Sequence, residues 1–248
     1  MEKRTRYQNI ILAILVVMTV AFGALLFYNR TQPGIQFRDG FLKQEIRTEN
    51  TVYYGSCQGE KTAIYVTNLD TCTCVQVVAG ERNWTYYVFP WEGKINDHAY
   101  RDDTPIIITN QDGKTIFKGY LTGGNYRYLL DENGEMDSDS FGIFAFTESD
   151  RNDPWERYTP SKQLVAELAT QPDLVCRGSI GLFFLMIFFA FLLAVDIVMP
   201  ELFFQLKHIL DVRDPEPSDF YIAMQRLSWA ILPVFLAAGY LYAVMVLP

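Results

Sequence analysis

Three long apolar stretches stand out in the pattern of hydrophobic and polar positions, at residues 10–28, 180–199 and 227–247. Each is long enough to cross a hydrocarbon core of about 30 Å as a helix. Apolar side chains surround these helices on nearly all sides, which is typical of a membrane span and not of a surface helix with one apolar stripe. The third stretch contains Pro233, which neighbouring membrane helices can accommodate. The pattern therefore predicts three transmembrane helices.

The first apolar stretch has an alternative interpretation as a cleaved signal peptide, because Lys3, Arg4 and Arg6 precede it. A signal peptide has a shorter apolar region of about 7–15 residues, which ends in small residues at the cleavage site. Here the small residues near the end, Gly23 and Ala24, are followed by four large ones. We therefore predict an uncleaved anchor.

Basic residues near the predicted helices indicate their orientation. Lys and Arg in short loops favour the cytoplasmic side, so residues 1–9 and the 200–226 loop are predicted to be cytoplasmic. Residues 29–178 are then extracytoplasmic. In the inner loop, apolar residues at helical spacing from Leu202 to Leu210 predict a short amphipathic helix at the membrane interface. The basic residues that set this orientation are Lys3, Arg4, Arg6, Lys207, Arg213 and Arg226.

The long segment 29–178 has β-branched and aromatic runs separated by turn signals. Residues 110–114 predict a hairpin turn, and a short helix is expected near 160–169 with Thr159 as its N-cap. The fold class is then an α+β membrane protein with one β-rich domain, a sandwich or partly open barrel, between helix one and helix two. The predicted strands are 52–54, 62–67, 73–78, 84–89, 106–109, 115–117, 126–130 and 141–147.

The net charge of the 248-residue chain is −8 at neutral pH. Binding to nucleic acid requires clustered Lys and Arg, which the sequence lacks, so nucleic acid is not expected as a partner. No polybasic run is present that could hold the chain on an anionic membrane surface. The bilayer itself, reached through the apolar stretches, is the partner that the sequence predicts.

Four cysteines, at positions 57, 72, 74 and 176, fall in the predicted outer segment. That side of a cell membrane is oxidising, so Cys57, Cys72, Cys74 and Cys176 are candidates for structural disulfides, with unpaired thiols as the alternative. Cys72 and Cys74 lie two apart on one strand and point to one face, so Cys57 is the better placed partner for either. A metal site is a minor alternative, because zinc sites have paired C-x-x-C spacing or several histidines, and His98 stands alone here.

Two short segments resemble the sequence patterns of a catalytic site and of a metal site. Residues 55–59 place Cys57 where a nucleophile elbow has its nucleophile, but the following residues predict a strand where that motif needs a helix. Residues 131–139 are acidic, yet Gly134 is the fourth residue, where a calcium-binding EF-hand loop has its glycine sixth. A hairpin turn and a solvated acidic loop are the preferred interpretations. No enzyme activity, metal or cofactor is predicted.

The densest aromatic run covers residues 84–91. Strand alternation places Trp84 and Tyr86 on one face and Tyr87 and Trp91 on the other. Two apolar faces indicate either a central buried strand, which is commoner, or a strand with one exposed binding face for carbohydrate or peptide. The candidate binding residues are Trp84, Tyr86, Tyr87 and Trp91.

Asp196 is the one charged residue within the second apolar stretch. A carboxylate inside a span costs about 2.5–3.5 kcal/mol at the bilayer centre and less near an end. Arg226 is predicted at the same cytoplasmic level at the start of the third span. The hypothesis is an intramembrane ion pair between Asp196 and Arg226, and the alternative is that each side chain reaches the interface separately.

The C-terminal region carries a Pro-Glu end on one helix at Pro200 and Glu201, a Glu-Pro-Ser turn at 216–218, and Arg226 opening the next helix. This stretch resembles an uncharacterised family of small bacterial membrane proteins, over roughly the last 60 residues. The sequence departs from the family after Arg226, where Leu227 stands in place of the usual glycine. The resemblance implies a bacterial cell membrane location and implies no activity.

The sequence thus predicts a membrane-anchored protein of the bacterial envelope whose outer β-rich domain binds or senses a ligand, or acts as an accessory interaction module. The alternative is a non-catalytic subunit of a larger transport or signalling complex. Either function implies another membrane or envelope protein as a partner. An envelope enzyme is a third, less favoured, interpretation.

Overall fold

The structure is a computed structural model that describes residues 5–57, 59–92, 103–124, 127–137, 159–208 and 217–247. It divides into two compact units, which are described separately below. One unit joins residues 1–32 to residues 176–248, and the other comprises residues 33–175. The fold is α+β, with a large antiparallel sheet and three long apolar helices that could cross a membrane by length and composition.

The helical unit contains α1 (Arg6–Arg30), α3 (Ile180–Val198), α4 (Leu202–His208) and α5 (Asp219–Met245). Each of the three long helices begins at a side chain that caps its first turn. Thr5 and Gln8 form a capping box on α1, and the Ser179 hydroxyl accepts a hydrogen bond from the Leu182 amide on α3. Ser218 accepts from the Tyr221 amide, so α5 begins eight residues before the predicted apolar stretch at 227.

Tyr240 is the centre of the packing between α1, α3 and α5. Its ring is fully buried, stacks on Phe22 at 5.6 Å and meets Phe183 at 5.2 Å between centroids. Its hydroxyl lies 3.1 Å from that of Thr19, so the polar atom is satisfied inside an apolar cluster. A second cluster, nearer the N-terminal end of α1, includes Leu15, Leu193, Ile197, Trp229 and Leu236.

Polar side chains also tie the ends of the long helices to one another. The last carbonyls of a helix have no partner within it and need donors from elsewhere. Gln8 donates to the Ile197 carbonyl at 3.1 Å, near the end of α3. Asn29 donates to the Val244 carbonyl at 3.0 Å, near the end of α5. These contacts fix the helices of this unit at both ends.

The β-rich unit is an up-and-down meander in which β1 to β9 are hydrogen-bonded neighbours in chain order. The described strands form one continuous sheet, not the two facing sheets of a sandwich. Strands β1 and β2 had not been predicted, because their glycines and charged residues dilute the apolar alternation. The predicted strand 141–147 lies outside the described residues. The strands are β1 (Pro33–Phe37), β2 (Gly40–Ile46), β3 (Thr51–Cys57), β4 (Glu60–Asn68), β5 (Thr73–Ala79), β6 (Arg82–Pro90), β7 (Thr104–Asn110), β8 (Thr115–Leu121) and β9 (Leu129–Asp131), followed at the boundary of the unit by β10 (Val175–Cys176).

The short helix α2 (Lys162–Thr170) packs on the sheet against β5 to β8. Val165, Ala166 and Leu168 are at most 4% exposed and join the core formed by the inward side chains of the strands. Ser161, whose hydroxyl accepts a hydrogen bond from the Leu164 amide at 3.2 Å, is the N-cap of α2. The prediction of Thr159 as the cap was therefore wrong by two residues, because Pro160 and Ser161 precede the first turn.

Candidate functional site

The four cysteines are free thiols in the structure, so none of the predicted disulfides between Cys57, Cys72, Cys74 and Cys176 is formed. The sheet register explains why Cys57 cannot reach Cys74. Cys57 is opposite Glu60 at one end of β4, and Cys74 is opposite Thr67 near the other end. Seven residues of strand separate these positions by about 23 Å. A disulfide needs Cα atoms less than about 7 Å apart.

Cys57 is a buried structural thiol and not an activated nucleophile. Its side chain is 1% exposed and donates to Asp39 Oδ1 at 3.2 Å. Burial, together with the hydrogen bond to Asp39, raises the pKa of the Cys57 thiol to about 11. The strand β4 begins at Glu60, so the strand-to-helix turn of a nucleophile elbow is not formed after Cys57. The predicted hairpin interpretation of this motif agrees with the observed β3–β4 pairing.

The acidic loop after β9 begins as a tight turn organised by Asp131. Asp131 Oδ1 accepts hydrogen bonds from the backbone amides of Asn133 at 2.9 Å and Glu135 at 2.8 Å. These two hydrogen bonds use Asp131 Oδ1 to build the turn. Among the described residues, no group of three or more His, Cys, Asp or Glu side chains is placed to hold a metal ion.

The aromatic run on β6 is divided between two environments. Tyr86 is 8% exposed and belongs to the core, and Trp84 packs against the same core. For these two residues the structure agrees with the buried-strand alternative and not with the exposed binding face. Tyr87 is half-buried on the opposite face of the sheet, opposite Cys74 on β5 and Thr109 on β7.

Trp91 is half-buried just beyond β6 and contacts two side chains of β8. Its ring lies 5.3 Å from that of Tyr120, and the Lys118 ammonium sits 4.8 Å above it. Lys118 also forms an ion pair with Glu132 at 2.7 Å. The neighbours of the ring are thus side chains of the same unit, which stabilise the outer face of this part of the sheet.

The strongest candidate site is a polar cluster around Asp196, in the last turn of α3. Asp196 Oδ1 accepts a hydrogen bond from Gln225 Nε2 at 2.8 Å, and Oδ2 accepts one from Trp229 Nε1 at 2.6 Å. Gln225 Nε2 also donates to the Pro200 carbonyl at 2.7 Å, just after α3 ends. Trp229 is 4% exposed. We refer to Asp196, Pro200, Gln225 and Trp229 as the Asp196 cluster.

Asp196 is hydrogen-bonded to Gln225 and Trp229, and not to Arg226, the partner that the sequence predicts. Gln225 and Trp229 are four residues apart and lie on one face of α5, whereas Arg226 is turned about 100° from Gln225. The Arg226 side chain is exposed, and its carbonyl accepts a hydrogen bond from the Tyr7 hydroxyl at 3.1 Å. Among the side chains that the structure describes, no Lys, Arg or His forms a salt bridge with Asp196. The two neutral donors therefore take the place of the predicted ion pair.

A cavity of about 510 Å³ adjoins the Asp196 cluster between α3 and α5. Asp196 is the one charged residue in its lining, and Phe203 of α4 lies at the same wall. The other lining residues are apolar: Met186, Phe189, Leu192, Leu193, Leu232, Phe235, Leu236 and Gly239. The arrangement offers hydrogen-bond acceptors at one point of an otherwise apolar open cleft, which suits the binding of an elongated amphipathic molecule.

Sequence reasoning identified Asp196 but missed Gln225, Trp229 and the cavity. The signal that could have found the two donors is their spacing of four residues, which places both polar groups on one face of a helix. An amide and an indole are weaker signals than an Arg, because neither carries a charge. The cavity depends on the packing of two helices and has no signature in either helix alone.

No curated protein and no solved structure matches the chain. A family match covers residues 184–245, which include all four residues of the Asp196 cluster, and it agrees with the family resemblance predicted for roughly the last 60 residues. This C-terminal part of the chain is matched by the model of a family of unknown function, DUF6199.

Proposed function

We propose that this protein is a membrane-anchored accessory protein of the bacterial envelope, in which α1, α3 and α5 cross the bilayer and residues 33–175 form an extracytoplasmic binding or sensing module. One observation carries the proposal. In the most apolar 18-residue windows of the three helices, 17%, 22% and 28% of the residues are buried within the chain. The remaining apolar side chains need lipid or other helices around them, because water would make their exposure costly.

The orientation of the helices is argued from charge. Arg6 lies at the start of α1, and Arg226 lies in the first half of α5. Both flank the same end of the bundle, where the Tyr7 hydroxyl contacts the Arg226 carbonyl. Basic residues near short loops favour the cytoplasmic side, which puts residues 33–175 outside.

A non-catalytic subunit of a larger transport or signalling complex is the second candidate. The same exposed apolar surface favours it, since the helices of a partner would cover that surface as well as lipid does. Much apolar surface on α1 and α5 is available for contacts with a partner. The large apolar residues of these helices that are more than 60% exposed are Val16, Val17, Val20, Phe27, Phe220, Val234, Phe235 and Tyr242.

The topology is tested by proteolysis of the full chain in spheroplasts, with an epitope tag before residue 1. Added protease should cut residues 33–175 in intact spheroplasts and leave a tagged fragment that contains α1 in the membrane. Cleavage of this segment only after lysis would reverse the orientation. Recovery of the intact chain in the soluble fraction without detergent would refute membrane anchoring.

The two candidate functions are separated by crosslinking in native membranes followed by purification in mild detergent. A subunit should copurify with one partner in a fixed ratio, and that ratio should survive deletion of residues 33–175 if the helices carry the contact. An accessory binding module should lose its partner on the same deletion. The truncated chain must remain in the membrane fraction for the comparison to count.

A further inference from the structure

The cavity between α3 and α5 combines an apolar lining with a single carboxylate. We propose that it holds one acyl chain of a membrane lipid whose headgroup carries a primary ammonium, with that ammonium bound to Asp196. The inference rests on the proposed membrane location of α3 and α5. It assigns a ligand class to the Asp196 cluster, which the proposed function leaves open.

The shape and lining of the cavity suit a lipid tail. Along α3 the lining runs from Met186 to Asp196, a rise of about 15 Å. Every lining residue except Asp196 is apolar. An extended acyl chain can lie along such a surface because it has no polar group that would need a partner there.

The charge of the site favours an ammonium headgroup. Each Asp196 oxygen accepts one hydrogen bond from a neutral donor, at 2.8 Å from Gln225 and 2.6 Å from Trp229. An ionised carboxylate offers about four acceptor positions, so two remain. Neutral donors satisfy the acceptor geometry without cancelling the negative charge, and a half-buried carboxylate is stabilised by a nearby cation. A primary ammonium supplies both a positive charge and three hydrogen-bond donors, whereas a glycerol or phosphate headgroup supplies no cation.

The position of Asp196 allows a headgroup to reach it. Asp196 lies two residues before the end of α3, so its side chain is near the membrane interface and not at the bilayer centre. Phe203, on the short helix α4, lines the same cavity. A lipid could therefore keep its headgroup at the interface beside Asp196 while its tail extends along α3 toward Met186.

The test uses the full chain purified in detergent and transferred to nanodiscs, with bound lipid counted by native mass spectrometry. Phosphatidylethanolamine and phosphatidylglycerol with identical acyl chains are compared in competition. Wild type should retain the ethanolamine lipid about tenfold more than the glycerol lipid, as expected for one charge-assisted hydrogen-bonded contact. Asp196→Asn should abolish this preference, and Asp196→Glu should keep most of it.

Two further variants separate a lipid site from a general loss of structure. Asp219→Asn makes the same acid-to-amide change at the start of α5, away from the cavity lining, and should keep the preference. Leu232→Trp should fill the cavity and reduce retention of both lipids together. Each variant is checked for wild-type helical circular dichroism before lipid is counted.

Equal retention of the two lipids by wild type, or an unchanged preference in Asp196→Asn, would overturn the proposal. A photocrosslinker at Leu232 that captures a protein helix instead of lipid would also overturn it. These outcomes leave the proposed membrane location intact. Conversely, a failure of that location would be seen in the spheroplast and fractionation experiments before any lipid is measured.

Discussion

Asn110 and Asp131 perform the same structural task in two different hairpins. In each case the side-chain oxygen accepts the backbone amides two and four residues later. In each case a glycine with positive φ, Gly113 or Gly134, occupies the fourth position of the turn. Asx side chains favour such turns because they replace a backbone acceptor locally. The first turn of the 131–139 loop therefore does not require a carboxylate, because the side-chain amide of Asn110 forms the same turn.

The charge of Asp131 makes its turn sensitive to pH, unlike that of Asn110. Hydrogen bonds from backbone amides, with that of Glu135 the largest, hold the pKa of Asp131 below its ordinary value. The folded pKa is thus below the unfolded value of about 3.9, so the contribution is present above pH 4 and is lost as the pH falls through the folded pKa. Because Asp131 is only half-buried and solvent screens its charge, we expect Asp131→Asn to cost less than about 1 kcal/mol at pH 7.

The measurement is urea unfolding of the full chain in detergent at pH 7 and at pH 3, followed by near-ultraviolet circular dichroism. The difference between wild type and Asp131→Asn should shrink at pH 3. Asp131→Ala, which loses the acceptor altogether, should be destabilised at both pH values. An Asp131→Asn difference that does not change with pH would show that the carboxylate charge has no part in the turn.

Cys57 should be unreactive in the folded protein. The thiolate is the reactive form, and a pKa of about 11 leaves very little thiolate at neutral pH. At 1% exposure the sulfur is also inaccessible to reagents. We expect maleimide at pH 7.5 to label Cys57 only after unfolding in urea, as mapped by peptide mass spectrometry. The half-buried Cys72 is the internal control, and labelling of Cys57 as fast as Cys72 in the native chain would contradict the structure.

At the scale of elements, the sequence predicted what depends on periodicity. The three apolar helices and the strands β3 to β8 have clear patterns, because burial on all sides or on alternate sides leaves a trace in each segment alone. Strands β1 and β2 contain Gly34, Gly40 and three charged or amide side chains in β2, which weaken that trace. β2 is held in the sheet by pairing with β3, and β1 by pairing with β2, and these interactions between segments are not visible in either segment alone.

The Asp196 cluster shows the same limit for the candidate site. A lone carboxylate in an apolar stretch is visible in the sequence, and so is its need for a partner. The identity of the partner depends on the rotation of α5 about its axis, which decides between Arg226 and the face shared by Gln225 and Trp229. That rotation is set by packing, for example by the burial of Trp229, Leu236 and Tyr240. One helix sequence alone does not specify it.

A pair of double-mutant cycles tests the rotation of α5. Asp196→Ala and Trp229→Phe remove the two ends of one hydrogen bond, so their combined cost should fall short of the sum by about 0.6 kcal/mol, the mean for side-chain hydrogen bonds between membrane helices, and by no more than about 1.7 kcal/mol. Asp196→Ala and Arg226→Ala should be additive. Unfolding is followed by helical circular dichroism in mixed micelles. Additivity in the first cycle with coupling in the second would restore the ion pair as the correct description.

At the scale of the whole molecule, the described residues form separate apolar cores in the two units. The β-rich unit is held by the inward side chains of its strands together with Val165, Ala166 and Leu168 of α2. The helical unit is held by clusters around Leu193 and around Tyr240. Within the described ranges, no residue belongs to the cores of both units. Because cooperativity arises from a shared core, the two units are expected to unfold in separate transitions.

Leu168 and Leu193 provide matched changes for testing this independence, since each is at most 5% exposed and each belongs to one core. Leu168→Ala should destabilise the β-rich unit by about 2–4 kcal/mol, which lowers the urea concentration at which Cys57 becomes reactive to maleimide. It should leave the loss of helical circular dichroism unchanged. Leu193→Ala should lower the urea concentration at which helical circular dichroism is lost and leave the reactivity of Cys57 unchanged, because the substitution removes side-chain volume from the core among α1, α3 and α5. The exposed Leu174 controls for the substitution itself, and Leu174→Ala should alter neither transition. If Leu168→Ala and Leu193→Ala each shifted both signals together, the chain would unfold as one cooperative body, and the two cores would have to be energetically coupled.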